Sequence, residues 1–348
     1  MICRFVALVS KPLRCNAPFF VFMYVLGCIC AWATLPDVRG AHLYKNLFPE
    51  LFLDVYVLAL VLTLLPRRVR PWVRGIFYFI LYVVALVDVY CFVKFHSSLT
   101  PTMLLLVGET DSREAGEFLR SCVSPDVLFS NVGWVVLLMF IHLLVALQLR
   151  FPHFVPKNWC RLFRSLLDRF GLMLKRVRIV SQLAVLILLV VSIQDSAHNK
   201  AAFVKLMSGR TIGEVEHTLT EKDKANLYQP IYRLVFSLYA NTLTAKQVDR
   251  LVARVDKARV DSCSFRSPNI VLIIGESYNR HHSAQYGYCM PTTPRQQKLE
   301  KQGRLVKYTD VVSPWNLTSF VFKHIVSLYT VGDKGELCDY PLFTAVFR

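Results

Sequence analysis

The sequence predicts an α-helical membrane domain with five transmembrane helices, followed by the N-terminal part of an α/β domain. Three observations lead to this prediction. First, 54% of the 348 residues are hydrophobic and only 19% are charged, which is unusual for a soluble protein. Second, the apolar residues fall in long blocks separated by loops of alternating charge. Third, the segment "NIVLII" at 269–274 has the pattern of a strand buried on both faces, as in parallel sheets covered by helices.

The membrane domain is predicted to comprise residues 1–195. A helix needs ~20 residues to cross the hydrocarbon core of a bilayer. Five blocks reach or nearly reach that length: 17–35, 47–65, 75–93, 132–149 and a shorter one at 179–194. The first block could instead be a signal peptide, because basic residues precede it and Ala31-Trp32-Ala33 resembles a cleavage site. Its uncharged run is long for a signal peptide, so a first crossing is the preferred interpretation.

The formal net charge of +17 is distributed unevenly along the predicted loops. The loops 1–16, 66–74 and 150–178 have net charges of +3, +4 and +7, whereas 36–50 and 94–131 sum to 0 and −2. This is the positive-inside pattern. It predicts a multi-pass protein with a cytoplasmic N-terminus and with everything after about residue 195 outside. The positive charge of the outer region suits anionic lipid better than nucleic acid, so no nucleic-acid partner is expected.

The outer region is predicted to start with a helical connector, residues 196–268. One helix face of the connector carries an apolar stripe that either packs against protein or rests on the membrane; it consists of Tyr232, Val235, Phe236 and Tyr239. Four cysteines are also predicted to lie outside and could form two disulfides, whose pairing the sequence does not set; they are Cys122, Cys263, Cys289 and Cys338.

Two residues after the connector could carry chemistry. Glu276 follows the predicted strand, at the end where open parallel sheets gather their ligands, so its carboxylate could hold a metal ion. Thr318 falls in the first turn of a predicted helix, where free backbone N–H groups and the helix dipole favour a phosphate. Coordination to a divalent cation would make its hydroxyl a nucleophile. For both residues the alternative is a helix cap.

The segments between residues 271 and 295 carry a resemblance to a known family: "VLIIGES" (271–277), Arg280, His282, "YGY" (286–288) and "PTTPR" (291–295). They resemble the start of the catalytic domain of the lipid A phosphoethanolamine transferases, members of the alkaline-phosphatase and sulfatase superfamily. The five-helix layout with an outer C-terminal domain is similar to that family as well. Cys289 and Pro291 also match part of the sulfatase motif C-x-P-x-R, but Thr293 occupies the place of the arginine, which argues against a sulfatase.

The resemblance implies a location, a reaction and a cofactor. The protein would lie in the bacterial inner membrane, with residues 269–348 as the first part of a periplasmic, sulfatase-like catalytic domain. Thr318 would carry phosphoethanolamine as a covalent intermediate, with Ser313 or Ser319 as the equivalent if the register is shifted. Glu276 would share a divalent metal ion, expected to be zinc, with that threonine. Phosphatidylethanolamine would be the donor, and lipid A or another anionic lipid or glycan of the envelope would be the acceptor.

Four residues of the membrane half are further candidates. Thr110 and Glu114 stand four apart, hence on one face of a helix, and resemble a T-x-x-x-E element that holds lipid substrate in family members. Leu106 stands where many members have an asparagine, and a solvated loop helix is the alternative. Asp54 and Asp88 fall near the outer ends of two predicted crossings, where either structural anchoring or lipid binding explains a carboxylate.

The predicted catalytic domain is incomplete. Only 80 residues follow position 268, whereas the family's domain runs for several hundred and uses a later Asp-His pair as metal ligands. Glu276 and Thr318 alone supply fewer ligands than a working zinc site needs. The chain is therefore expected to be truncated and inactive as given. The alternatives are a transferase of another phospho-head group, such as glycerol phosphate, and a non-catalytic membrane module that binds lipid.

Overall fold

The structure, a computed structural model, describes residues 2–104, 125–150, 178–255, 269, 271–275, 278–312, 321, 325–330 and 332–346. The described part is mostly helical, and we number its α-helices in chain order: α1 (Ile2–Val9), α2 (Lys11–Cys15), α3 (Ala17–Ala33), α4 (Leu47–Leu64), α5 (Arg70–Phe95), α6 (Pro125–Leu128), α7 (Val132–Arg150), α8 (Arg178–Ser208), α9 (Ile212–Thr220), α10 (Pro230–Val255), α11 (Pro294–Lys301) and α12 (Phe343–Val346). Short 3₁₀ turns occur at Arg280–His282, Ala284–Tyr286 and Leu337–Asp339. The chain divides into two compact units, Met1–Thr244 and Ala245–Arg348.

Three of the described helices are long and apolar enough to cross a membrane: Leu47–Leu64, Arg70–Phe95 and Val180–Ser208. They coincide with the second, third and fifth predicted blocks. Two shorter apolar helices, Ala17–Ala33 and Val132–Gln148, coincide with the other two blocks. The described residues are thus those of a helical protein with three candidate membrane-spanning helices.

Helix α8 is much longer than the predicted crossing at 179–194. Its 31 residues correspond to a length of ~46 Å, compared with ~30 Å for the hydrocarbon core. No glycine or proline interrupts the sequence before Gly209, so nothing local ends the helix where its apolar run stops. As a result, Asn199 and Lys200 belong to the same rigid helix as the apolar run.

Side-chain amides join the ends of neighbouring helices in the unit Met1–Thr244. At the start of α3, Asn16 Nδ2 donates to the carbonyl of Ala59 (3.1 Å) and to Thr63 Oγ1 (2.9 Å), both near the end of α4. Before α7, Asn131 Nδ2 donates to the carbonyl of Ala33, the last residue of α3 (3.1 Å). These bonds fix α3 antiparallel to both α4 and α7. The core between the helices includes Phe19, Met23, Leu26, Leu47, Leu51, Val55, Tyr82, Ala85 and Val89.

The structure corrects the prediction of a buried strand at 269–274 for the residues of that segment that it describes. Residues 271–275 have no regular secondary structure, and the side chains of Val271 and Ile273 are 80% and 85% exposed. A strand leaves its N–H and C=O groups unpaired unless a second strand lies beside it. Among the described residues, the β-pairing is an isolated bridge between Ser327 and Leu342. Apolar sequence alone therefore does not bury this segment.

In the unit Ala245–Arg348, the C-terminal half of α10 holds the last described segment by ion pairs. Arg250 donates to Glu336 Oε2 and to Asp339 Oδ1, both at 2.6 Å. Between these two carboxylates, Cys338 is fully buried. Cys289 is exposed, and both thiols are free, so neither takes part in a predicted disulfide. Cys122 and Cys263 lie outside the described residues.

Candidate functional site

The four residues that the sequence predicts to bind substrate or metal all lie outside the described residues. They are Thr110, Glu114, Glu276 and Thr318. Within the residues that the structure describes, no group of three or more His, Cys, Asp and Glu side chains is placed to hold a metal ion. The roles predicted for these four residues therefore stay predictions.

The described residues instead form a polar cluster between the membrane helices and the connector. It joins α4, α5 and α8 to α10 and to the loop before α10, at the helix ends that the charge pattern predicts to face outward. We call it the outer polar cluster; it consists of Tyr44, Glu50, Asp54, Asp88, Asn199, Lys200, Tyr228, Tyr232 and Arg233. Carboxylates are costly inside a membrane unless they are paired, so each of its three carboxylates needs a partner.

Asp54 is paired with Lys200. The Lys200 ammonium donates to Asp54 Oδ1 at 2.7 Å, and also to the hydroxyls of Tyr228 (3.3 Å) and Tyr232. Both hydroxyls in turn donate to Asp54 Oδ2, that of Tyr232 at 2.9 Å. We call Asp54, Tyr228 and Tyr232 the ammonium tripod, because they offer three acceptors to one ammonium group.

Glu50 lies fully buried one helical turn before Asp54. Its Oε1 accepts from the Tyr44 hydroxyl (2.5 Å) and its Oε2 from Asn199 Nδ2 (2.9 Å). The Lys200 ammonium lies 3.7 Å from the same Oε2, which is too long for a hydrogen bond but close enough for electrostatic attraction. Two neutral donors and a nearby cation thus stabilise a carboxylate that has no contact with solvent.

Asp88 is also fully buried, and Arg233 is its cationic partner. Arg233 Nη1 donates to Asp88 Oδ2, and the backbone N–H of Leu99 donates to Oδ1 at 3.0 Å. The same guanidinium donates through Nε to the carbonyl of Leu227 (2.9 Å) and through Nη2 to Thr34 Oγ1 (3.4 Å). Because Arg233 belongs to α10, this ion pair fastens the start of the connector helix to α5.

A cavity and a cleft border the outer polar cluster. A cavity of about 60 Å³ lies between α3, α4 and α5 and is lined by Asp54 and Gln229, among mostly apolar side chains. It has room for about two water molecules. An open cleft of about 610 Å³ shares Tyr44 and Asn199 with the cluster. The other polar side chains that line it are those of His198, Lys222, Asp223, Lys224 and Asn226. A small molecule can therefore approach the cluster from the cleft.

The surroundings keep both tripod tyrosines protonated. Burial raises the pKa of Tyr228 and of Tyr232, and the nearby negative charge of Asp54 raises both further. A protonated phenol can donate to the carboxylate while its oxygen accepts from an ammonium. The tripod is therefore suited to binding a cation that has N–H donors, and it has no evident nucleophile.

Sequence reasoning found Asp54 and Asp88 but missed the residues that pair with them. A signal was present in the spacing. Glu50 and Asp54 stand four apart in α4, so they lie on one helix face. Tyr228 and Tyr232 have the same spacing, with Tyr228 in the loop just before α10 and Tyr232 in its first turn. Lys200 was missed because the predicted crossing ended at 194, although no helix-breaking residue separates it from the apolar run.

Comparison of the chain with protein-family models, with curated proteins and with solved structures finds no match.

Proposed function

We propose that the protein belongs to a phosphoethanolamine transferase of the bacterial inner membrane that takes the head group of phosphatidylethanolamine and passes it to lipid A or another anionic lipid or glycan. Five helices would cross the membrane, and residues 269–348 would start an α/β catalytic domain in the periplasm. The sequence motifs between 271 and 295 support the reaction type. The observation that carries the proposal structurally is the outer polar cluster, a partly accessible ionic site built on apolar helices.

The reaction would consist of two displacements at one phosphorus. Thr318 Oγ1 would attack the phosphorus of phosphatidylethanolamine, so that an O–P bond forms and the bond from phosphorus to the diacylglycerol oxygen breaks. Diacylglycerol would leave with the proton of the threonine hydroxyl. An oxygen of the acceptor would then attack the same phosphorus, and the Thr318 oxygen would leave and regain a proton. The expected zinc ion, held by Glu276 and Thr318, would make the hydroxyl a better nucleophile.

The proposal is tested with phosphatidylethanolamine labelled in its head group. The longest natural form of the protein is placed in bilayers that contain lipid A, and labelled product is measured. We expect transfer by the natural sequence and none by Thr318→Ala, with membrane insertion unchanged. Ser313→Ala and Ser319→Ala are matched controls that should keep activity. Transfer by Thr318→Ala would show that another residue is the nucleophile.

A second candidate function is a non-catalytic membrane module that binds lipid. The observation that favours it is that every residue of the outer polar cluster, as the described part of the chain shows it, belongs to Met1–Thr244. The same experiment separates the two functions. A module of this kind would bind phosphatidylethanolamine but would transfer no label to lipid A.

A further inference from the structure

The ammonium tripod has a feature that the proposed function does not use: its ligand is a side chain of the protein itself. We propose that the tripod of Asp54, Tyr228 and Tyr232 is a binding site for the primary ammonium group of a lipid head group, and that Lys200 occupies it in competition with that lipid. The identification of the lipid as the transferase donor rests on the proposed function; the binding site does not.

The number of acceptors selects a primary ammonium. Such a group has three N–H donors, and the tripod offers one acceptor to each: Asp54 Oδ1 at 2.7 Å, the Tyr228 hydroxyl at 3.3 Å and the Tyr232 hydroxyl. The ammonium nitrogen lies 4.5 Å from the centroid of the Tyr232 ring and 5.4 Å from that of Tyr228, but its closest contacts are with the hydroxyl oxygens. A quaternary ammonium has no N–H to donate and would leave all three acceptors unpaired. The site should therefore prefer ethanolamine to choline.

Lys200 is partly exposed, so a ligand from solution can compete with it. The side chains of Lys200 and Asp54 are 28% and 23% exposed, whereas that of Asp88 in the neighbouring ion pair is 0% exposed. Lys200 has a long, flexible stem, so its ammonium can move into water while the backbone of α8 stays in place. Exchange of one primary ammonium for another keeps the charge and the hydrogen bonds of the tripod. A ligand therefore does not have to overcome the cost of an unpaired carboxylate.

The position of the tripod indicates a lipid as the source of the ligand. Asp54 lies seven residues after the start of α4 at Leu47, hence ~10 Å along the helix, near the end of a helix that is apolar enough to cross a membrane. The cleft beside the outer polar cluster carries Lys222 and Lys224 against one carboxylate, Asp223, so the two lysines leave a net positive charge that can attract a phosphate. An ethanolamine head group carries an ammonium and a phosphate two carbons apart. The tripod would bind the ammonium, and the lysines of the cleft, which shares Tyr44 and Asn199 with the outer polar cluster, would attract the phosphate.

The first experiment removes the occupant and replaces it with a free amine. Lys200→Ala, in the full chain and in detergent, should have a lower melting temperature than the natural sequence. Ethanolamine should raise that temperature in a saturable manner, and choline chloride at the same ionic strength should not. Lys200→Met fills the vacated space without a charge and should show no response to ethanolamine. Lys205→Ala removes an exposed ion pair on the same helix, with Glu221, and should show none either.

The second experiment uses the natural sequence and does not depend on a variant that folds. The protein is placed in nanodiscs of phosphatidylethanolamine or of phosphatidylcholine, and its lysines are modified by reductive methylation with reagent in excess over lipid. The ratio of modification at Lys200 to that at Lys205 is measured by mass spectrometry of peptides. Displacement by the lipid should expose Lys200 and raise this ratio in phosphatidylethanolamine, while loss of reagent to the lipid affects both lysines equally.

The two experiments together decide the proposal. Rescue by ethanolamine with a higher ratio in phosphatidylethanolamine supports a site for the lipid. If ethanolamine raised the melting temperature of Lys200→Ala but the modification ratio were equal in the two lipids, the tripod would be a site for a free amine, and the proposal that its ligand is a lipid would be wrong. Equal responses to ethanolamine and choline, or no response to either with an unchanged ratio, would overturn the site. None of these readouts requires transfer, so a protein that binds the lipid but transfers nothing would refute the proposed function alone.

Discussion

The guanidinium of Arg233 contacts the carboxylate of Asp88 across 145 positions of sequence. Asp88 is fully buried in a helix that is apolar enough to cross a membrane, and Arg233 belongs to the helix that leads into the second unit. The contact explains how a carboxylate can remain within an apolar helix: the connector supplies its cation. The ion pair ties α10 to α5, in addition to the hydrogen bonds by which Tyr232 of α10 contacts Asp54 and Lys200.

Removal of Arg233 should therefore destabilise the unit Met1–Thr244 strongly. We expect Arg233→Met to lower the free energy of unfolding by about 3–5 kcal/mol, because it leaves the Asp88 carboxylate buried without a cation. The double variant Asp88→Leu with Arg233→Met should recover much of this loss, since no charge is then left unpaired. Thermal unfolding in detergent measures both, and Lys246→Met, an exposed change on the same helix, is the matched control. If the double variant were no more stable than the single one, the ion pair would not be the cause.

The close approach of α3 to α4 gives a second prediction. A Cβ atom at Gly27 would lie 2.5 Å from Leu51 Cδ1 and 3.0 Å from Gln229 Oε1, whereas one at Gly75 in α5 would meet nothing within 4 Å. Gly27→Ala should lower the free energy of unfolding by about 1–3 kcal/mol through overpacking. Gly75→Ala should instead raise it by about 0.5–1 kcal/mol through better helix propensity. Equal melting temperatures of the two variants would show that Leu51 moves aside without cost.

The contact of Arg250 with the last described segment should weaken in acid. A hydrogen bond from the backbone N–H of Glu336, and then the Arg250 guanidinium, lower the pKa of Asp339 below its usual value near 3.8. Because the pKa is lower in the folded state, the carboxylate contributes stability above its ordinary pKa and loses it as pH falls through the lowered value.

Amide hydrogen exchange of residues 332–340 measures this effect. After correction for intrinsic rates, protection of this segment should decrease below about pH 4 in the natural sequence. In Arg250→Gln, protection should already be low at neutral pH and should depend less on acid. Identical pH profiles of the two proteins would show that the ion pair does not hold the segment.

The two described cysteines of the unit Ala245–Arg348 should react with alkylating reagents at very different rates. Cys289 is exposed, whereas burial and a hydrogen bond to Glu336 raise the pKa of Cys338 to about 11. Since only the thiolate reacts, maleimide should modify Cys289 quickly and Cys338 slowly at neutral pH, as measured on separate peptides. Both should react quickly in denaturant, and fast modification of Cys338 in the folded protein would contradict its burial.

The sequence by itself determined the helices that could cross a membrane. Blocks such as 47–65 and 75–93 were predictable because length and apolar content are local properties of a chain, and α4 and α5 follow them closely. Asp54 and Asp88 could be selected as candidates for the same reason, since a carboxylate within an apolar run is visible without a structure.

Only the tertiary structure decided how those carboxylates are stabilised. Lys200 lies 146 positions from Asp54, and Tyr228 lies 174 positions from it, so no local pattern could join them. The segment at 269–274 shows that a local pattern can also predict too much. Its apolar residues predict a strand, but a strand forms only beside a second strand, which comes from a distant part of the chain. Periodicity along a sequence reports which face of an element is apolar, whereas the identity of the group that contacts this face is fixed by packing between elements far apart in the chain.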